Sequence, residues 1–468
     1  MALSARGDVV AAKSKRLSLS AWSWALYQGA RDPYIILIAT YIFTPYFTQV
    51  VIGNAVRGQA LVSTLNLVAG LAVALTAPFL GAAVDRLGPR KPWLLFCTAG
   101  SVPLICALWF VEPNGTGLSV AAAMAFMAVI TVLISYTEVF YNAMLVGAAG
   151  AAEQPRASGL SLTLGNVTTI FMFIFVLVAF VLPGRTTLPF IPAHPLFGLS
   201  PTLHEPERIV GPIVGIFYAL GALPLFLFSG DTTRSAVRFA AAFRDGAGRL
   251  VAMFRGLHVP RDIGIYLAAR MLYADAKMAL IIFGGVYAAG VMQWGVVELV
   301  VLGMVTTVAG IWGGVLGGWL DVRIGPKYAI ITEIGVSVIG VLAQLGLDRH
   351  TIFYFWHAGD IAAWNAPLFK TWPELVYVGV AFVISVVGTA SWASSRTLMV
   401  RLSPPDEVGT FFGLYALSGT ATVWFGPLLI GIFTSIFQTQ QAGFAPIVLM
   451  LCAGLAMMTL VRGGGKKV

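Results

Sequence analysis

Long stretches of apolar residues alternate along this chain with short polar connections. Twelve such stretches can be read, at 20–51, 59–83, 92–111, 117–148, 157–182, 209–229, 262–291, 295–320, 327–347, 374–400, 408–437 and 442–461. A helix crosses a bilayer with roughly 20 mostly apolar residues, so the pattern predicts twelve spanning helices. Several are longer, which leaves room for tilt or for protrusion beyond the lipid. The runs are continuous and lack the short alternating segments of a membrane β-barrel. Residues 1–20 carry Arg6, Asp8, Lys13, Lys15 and Arg16 without an apolar core, so they are not expected to be a secretory signal, and the first hydrophobic stretch is expected to stay in the protein.

Composition agrees with the pattern. Of 468 residues, 58% are hydrophobic and only 10% charged, whereas soluble domains carry about 25% charged residues. So few charges could not cover a soluble protein of this length. The three cysteines, 97, 106 and 452, all fall inside apolar runs and are expected to be inert buried thiols, with no disulfide framework or metal-ligand spacing. No nucleophile constellation, metal cluster or cofactor loop is legible, so neither an enzyme nor a bound cofactor is expected. The glycine run 310–318 follows no strand and lies within a predicted helix, where it serves close helix packing rather than a nucleotide.

Charge changes the picture by its placement. With the N-terminus inside, the inner segments hold 21 of the 29 Lys and Arg. Five lie outside (Arg57, Arg185, Arg208, Arg349 and Lys370) and three within helices (Arg31, Arg270 and Lys277). Positive residues accumulate on the cytoplasmic side of spanning proteins. Both termini are therefore expected in the cytoplasm of a multi-pass plasma (bacterial inner) membrane protein. The net charge of +9 follows from topology and implies no nucleic-acid partner. Residues 231–261 combine six arginines with Phe239, Phe243, Leu250, Phe254 and Leu257 at helical spacing, which predicts an amphipathic helix on the inner membrane face. The Pro-rich outer segment 183–206 predicts an irregular loop.

The chain repeats itself. GAAVDRLGPRK at 81–91 returns as GGWLDVRIGPK at 317–327. At an offset of 246, Leu26, Tyr27, Ala30, Ile35, Ile36 and Tyr41 fall on Leu272, Tyr273, Ala276, Ile281, Ile282 and Tyr287. Gly159, Leu160 and Gly165 match Gly413, Leu414 and Gly419. Three matches in one order predict two six-helix halves, 1–230 and 262–468, joined by the linker 231–261. Such repeats are typical of transporters, with a substrate site between them near the midplane.

The loop at 81–91 resembles the signature loop of the major facilitator superfamily. Gly81 would permit close helix approach, Asp85 would accept from a neighbouring helix N-terminus, and Arg86, Arg90 and Lys91 would hold the loop at the inner surface. Asp321 and Arg323 stand in the second copy. Together these form a latch expected to stabilise one conformation and to break in the other. WALYQGARDPY at 24–34, FYNAML at 140–145, LYADAKMALIIFGGVYA at 272–288 and RLSPPDEVGTFFGLYALSGTATVWFGPLL at 401–429 resemble the autophagy-related vacuolar effluxer group, also called the unknown major facilitator family. That resemblance implies an all-α facilitator fold and export of amino acids. This chain departs from the family at Gln28, where an acid is usual, at Arg31 and Asp32, where small polar residues are usual, and at Lys277, beside the matching Asp275.

Ionisable residues in spans are costly and usually face a cavity or a partner. They are Arg31 and Asp32 in helix 1, Glu138 in helix 4, Arg270, Asp275 and Lys277 in helix 7, and Glu333 in helix 9. In facilitator architecture helices 1, 4, 7 and 10 line the cavity, so Glu333 reads as structural. The offset of 246 places Arg31 on Lys277. Two convergent cations suit a carboxylate or phosphate; the other reading is that they neutralise Asp32, Glu138 and Asp275 as buried ion pairs. The five histidines fall in predicted loops, so a proton relay would use Asp32, Glu138 or Asp275, with sodium as the other coupling ion. Tyr27, Tyr34, Tyr273 and Trp392 could line a cavity and Asn142 could hydrogen-bond a ligand.

The expectation is a secondary transporter, working as a monomer among membrane lipids, for a small polar solute bearing a carboxylate, such as an amino acid or organic anion. A lipid or lysolipid flippase and a non-transporting scaffold are the other classes.

Overall fold

The computed structural model describes residues 17–113, 117–150, 153–184, 191–231, 241, 244, 259–358, 362–365, 368–403, 411, 414, 415, 417–419 and 421–463. Twelve helices dominate it, and we number them in chain order: α1 Leu19–Val51, α2 Ala55–Leu87, α3 Lys91–Ala107, α4 Val120–Ala148, α5 Gln154–Val176, α6 Val210–Phe228, α7 Arg261–Val291, α8 Val296–Arg323, α9 Pro326–Leu345, α10 Trp372–Leu402, α11 Phe425–Phe437 and α12 Gln440–Leu460. Among the described residues, eleven of the apolar helices are long enough to cross a bilayer, and α11 is the short one. A two-stranded antiparallel hairpin, Thr351–Ile352 with Trp356–His357, lies between α9 and α10.

Local chemistry sets the helix ends. Ser18, Asn54, Ser119 and Thr439 accept from the first-turn amides of α1, α2, α4 and α12, and Thr371 forms a capping box with Glu374 at the start of α10. Asp231 takes the amides of Arg90 at 2.9 Å and Lys91 at 2.8 Å, supplying an anion at the N-terminus of α3. Pro33 interrupts α1, which continues as π-helix over Tyr34–Tyr41 and again over Phe47–Val51. A proline removes one helical hydrogen bond and crowds the preceding turn; the π winding follows Pro33 and Pro45 on their C-terminal side.

The packing repeats in the two halves. In the first, α1 lies on α5 and α6, α2 on α4, and α3 on α4 and α6. In the second, α7 lies on α11 and α12, α8 on α10, and α9 on α10 and α12. Large apolar side chains point outward from many helices, among them Leu75, Phe96, Phe171, Leu220, Trp312 and Ile339. An apolar belt around a bundle of such helices marks a multi-pass membrane protein. Cys97 is buried as expected, but Cys452 is exposed because it sits on the outward face of α12.

Hydrogen bonds between the halves cluster at the end of the bundle away from the termini. Gln59 Nε2 donates to Thr434 Oγ1 at 2.8 Å and to the Gln440 carbonyl at 3.3 Å. Gln440 Nε2 donates to the Ala55 carbonyl at 3.4 Å, and Tyr41 Oη pairs with Thr306 Oγ1 at 3.0 Å.

The amphipathic segment expected at 231–261 lies almost wholly outside the described residues, as do the side chains of Asp85 and Arg86. The described parts of the two loop copies differ. A Cβ on Gly81 would meet Val139 Cγ1 at an ordinary 3.5 Å, whereas one on Gly317 would come within 2.7 Å of the Ala390 carbonyl oxygen and 3.0 Å of its Cα. Close approach therefore belongs to the second copy. Gly317→Ala should cost about 1–3 kcal/mol through overpacking, read as a lower unfolding temperature in detergent, while Gly81→Ala should be nearly neutral. Asp321 is buried with one carboxylate oxygen lacking a hydrogen-bond partner among the described residues, and the Arg323 guanidinium lies 4.8 Å from the Trp319 ring centre.

Candidate substrate-binding cavity

A cavity of about 680 Å³ lies between the halves and is lined from both. Its walls are mostly apolar, with Ile35, Ile134, Val139, Leu162 and Ile281 among them. That volume and that mixture suit a small organic molecule oriented by a few polar groups. Arg31, Asp32, Glu138, Lys277 and Trp392 are all on the wall. The equivalence of Arg31 and Lys277 in the two repeats thus becomes a pair of cations on one chamber.

The two cations are held differently. Arg31 is 3% exposed. It bonds Asp32 Oδ1 at 2.9 Å through Nη2 and pairs with Glu138 through Nη1, while its Nε has no partner among the described residues. Gln28 Nε2 donates to Asp32 Oδ2 at 3.1 Å, which fixes that acid from one helical turn away. Asn142 donates to Glu138 Oε1 at 2.9 Å, so it acts on the site through that carboxylate. Behind Arg31 stands an aromatic wall. Tyr141 stacks on Trp24 at 4.3 Å, and Tyr27 Oη bonds Tyr218 Oη at 2.6 Å and Thr98 Oγ1 at 2.7 Å.

Lys277 has no carboxylate within ion-pair distance among the described residues. Its ammonium donates to Ser391 Oγ and lies 5.5 Å from the Tyr273 ring centre. Glu333 of α9 is its electrostatic neighbour, and Ser394 donates to Glu333 Oε1 at 3.2 Å. The packing of α9 on α10 brings the buried Glu333 carboxylate behind the cavity wall without making it a wall residue.

Some expected residues lie behind the wall. Tyr27, Tyr34 and Tyr273 are fully or almost fully buried between helices, and Tyr273 bonds Ser395 at 3.0 Å. Asp275 accepts from the Gly426 amide at 2.8 Å, which turns it toward α11. The four described histidines are outside the helices.

Residues 146–464 match the family described as vacuole effluxer Atg22 like. The chain belongs to that family. A Bacillus subtilis (strain 168) protein named an uncharacterized MFS-type transporter, YxiO, is 19% identical over 96% of both chains. Autophagy-related protein 22 of Botryotinia fuckeliana is 24% identical over 44% of this chain, a match spanning 33% of that fungal protein. Among solved structures, the nucleoside transporter NupG superposes with a TM-score of 0.60 at 10% identity, covering 95% of this chain and 100% of NupG. The xylose transporter XylE from E. coli, in an inward-open conformation, superposes with a TM-score of 0.59 at 12% identity over 96% of both. These likenesses establish the major facilitator fold expected from the loop motif. As an Atg22-like protein of that fold, the chain is grouped with membrane transporters.

Proposed function

We propose that this Atg22-like protein is a proton-coupled secondary transporter of a small polar solute bearing a carboxylate, such as an amino acid or organic anion. The observation that carries this reading is the placing of Arg31 and Lys277, equivalent in the two repeats, on the wall of one cavity. Lys277 is the cation available to an incoming anion, because its contact is a hydroxyl. Arg31 is already shared by two carboxylates and holds them in place. Coupling runs through Asp32 and Glu138: a carboxylate beside a cation in a closing cavity can exchange its proton as its surroundings change. Asp275, engaged with α11, is the third candidate acid.

Both termini are cytoplasmic in this reading, from the distribution of Lys and Arg. The halves then meet at the outer ends, as in an inward-facing state, and the latch of Gly81, Asp85, Arg86, Arg90, Asp321 and Arg323 would engage when that face closes. The apolar walls support a second reading, transport of an amphiphile such as a lysolipid.

Thermal-shift screening of the purified protein against amino acids, organic acids, phosphate esters and lysolipids separates the two. A ligand at a hundred times its Kd stabilises by about 2.7 kcal/mol. Stabilisation by carboxylates is expected; stabilisation by lysolipids alone would favour the second reading. In proteoliposomes, dissipating an imposed pH gradient should abolish accumulation of the stabilising solute, while accumulation that follows a sodium gradient instead would assign coupling to sodium.

A further inference from the structure

The twelve-helix pattern predicts one unbroken helix over 408–437, but the structure interrupts it. Leu417–Gly419 are helical, 421–424 form a turn, and α11 begins at Phe425. Sequence explains the interruption. Pro427 cannot donate to the carbonyl four residues earlier and its ring crowds that turn. The equivalent position in the first half is Phe173, and α5 runs unbroken through it.

A break in a spanning helix leaves helix ends inside the membrane, where backbone groups need partners from the protein. Here two opposite charges of α7 flank the break. Arg270 Nη1 donates to the Tyr415 carbonyl at 2.8 Å and to Ser418 Oγ at 2.6 Å, with its guanidinium 3.6 Å from the Tyr415 ring centre. Asp275 Oδ2 accepts from the Gly426 amide at 2.8 Å. A cation thus meets the carbonyl end of the first piece and an anion the amide end of the second, each the favoured sign for a helix terminus. Two glycines make room. A Cβ on Gly419 would lie 3.0 Å from Arg270 Nη1, and one on Gly426 would lie 3.4 Å from Asp275 Oδ1 and 3.1 Å from Ala279 Cβ. Between the two charges Thr422 Oγ1 reaches the Met271 carbonyl at 3.4 Å.

The interrupted stretch also reaches the cavity and the opposite half. Gly419 and Val423 are on the cavity wall. Across the interface, a Cβ on Gly70 of α2 would meet Trp424 Cα at 3.0 Å, so the break bears on the opposite half.

We propose that the break between Ala421 and Gly426 is a hinge in the cavity wall, held by a charge clamp in which Arg270 and Asp275 of α7 are positioning residues. The wall and the contact with α2 can then shift together while α7 keeps hold of both helix ends. Arg270 and Asp275 serve the cavity through α11 and need not touch the solute.

Residue-level hydrogen exchange on the full-length protein in nanodiscs tests this without any substrate, so its outcome and that of the transport reading are independent. Amides at 421–426 should exchange at least about a hundredfold faster than those at 428–437, as a local opening requires. Asp275→Ala should speed exchange at Gly426 by about tenfold further, whereas Asp275→Asn, whose amide oxygen still accepts, should stay within about threefold of wild type. Pro427→Ala, which restores the missing donor, should slow 421–426 toward the flanking helix. Should Asp275→Ala fail to fold, Asp275→Asn and Pro427→Ala decide the matter. Equal protection of 421–426 and 428–437 in the wild type would overturn the hinge, and wild-type exchange in Asp275→Ala would overturn the clamp.

Discussion

Lys277→Gln is expected to leave the protein folded and to lower ligand affinity and transport about a hundredfold, since truncating one member of a buried charged contact costs 2–5 kcal/mol or more. The expectation follows from what surrounds this lysine. Its near partner is the Ser391 hydroxyl, which a glutamine amide can also engage. Glu333 keeps its own hydrogen bond from Ser394 in the variant. Folding loses the ammonium beside the buried Glu333, a cost read in the unliganded unfolding temperature, and the loss beyond that falls on whatever anion the ammonium meets in the cavity. Binding of the best ligand from the thermal-shift panel, measured by calorimetry beside the unfolding temperature of the unliganded protein, separates the two effects. An unfolding temperature that collapses with affinity would make Lys277 a structural residue.

Arg31→Gln should behave in the opposite way, with a fall in stability of about 2–4 kcal/mol. Removing the guanidinium strands two carboxylates. Asp32 is the costlier, because its side chain is only 19% exposed, whereas that of Glu138 is 50% exposed and keeps both water and Asn142. The cost should therefore fall by more than half in the double variant Arg31→Gln/Asp32→Asn, and by much less when Glu138→Gln is the second change. Denaturation midpoints of the four proteins in the same detergent check this. Equal recovery by both second changes would mean that burial does not decide the cost.

The architecture was legible because it rests on hydropathy and repetition. Twenty-residue apolar runs, the returning Gly-x-x-x-Asp loop with its Gly-Pro and the register of Leu26 to Tyr41 on Leu272 to Tyr287 led to twelve helices in two halves, and the offset between repeats brought Arg31 and Lys277 to one cavity. What escaped depends on helix rotation and on contacts between helices far apart in sequence. Tyr27, Tyr34 and Tyr273 share helices with the wall residues but point into the packing behind it. Glu333 belongs to a peripheral helix, and only the packing of α9 on α10 carries it toward Lys277. Pro427 was visible in the sequence; its consequence, a split helix spanned by Arg270 and Asp275, becomes apparent only when α7 lies beside it.

The account depends on Lys277 meeting a carboxylate in the shared cavity. The most direct test compares a carboxylate that stabilises the protein with its own primary amide, on the wild type and on Lys277→Gln. The carboxylate should raise the unfolding temperature of the wild type, while the amide should not, and neither should stabilise the variant. Equal stabilisation by acid and amide, or a carboxylate effect that survives in Lys277→Gln, would contradict the account.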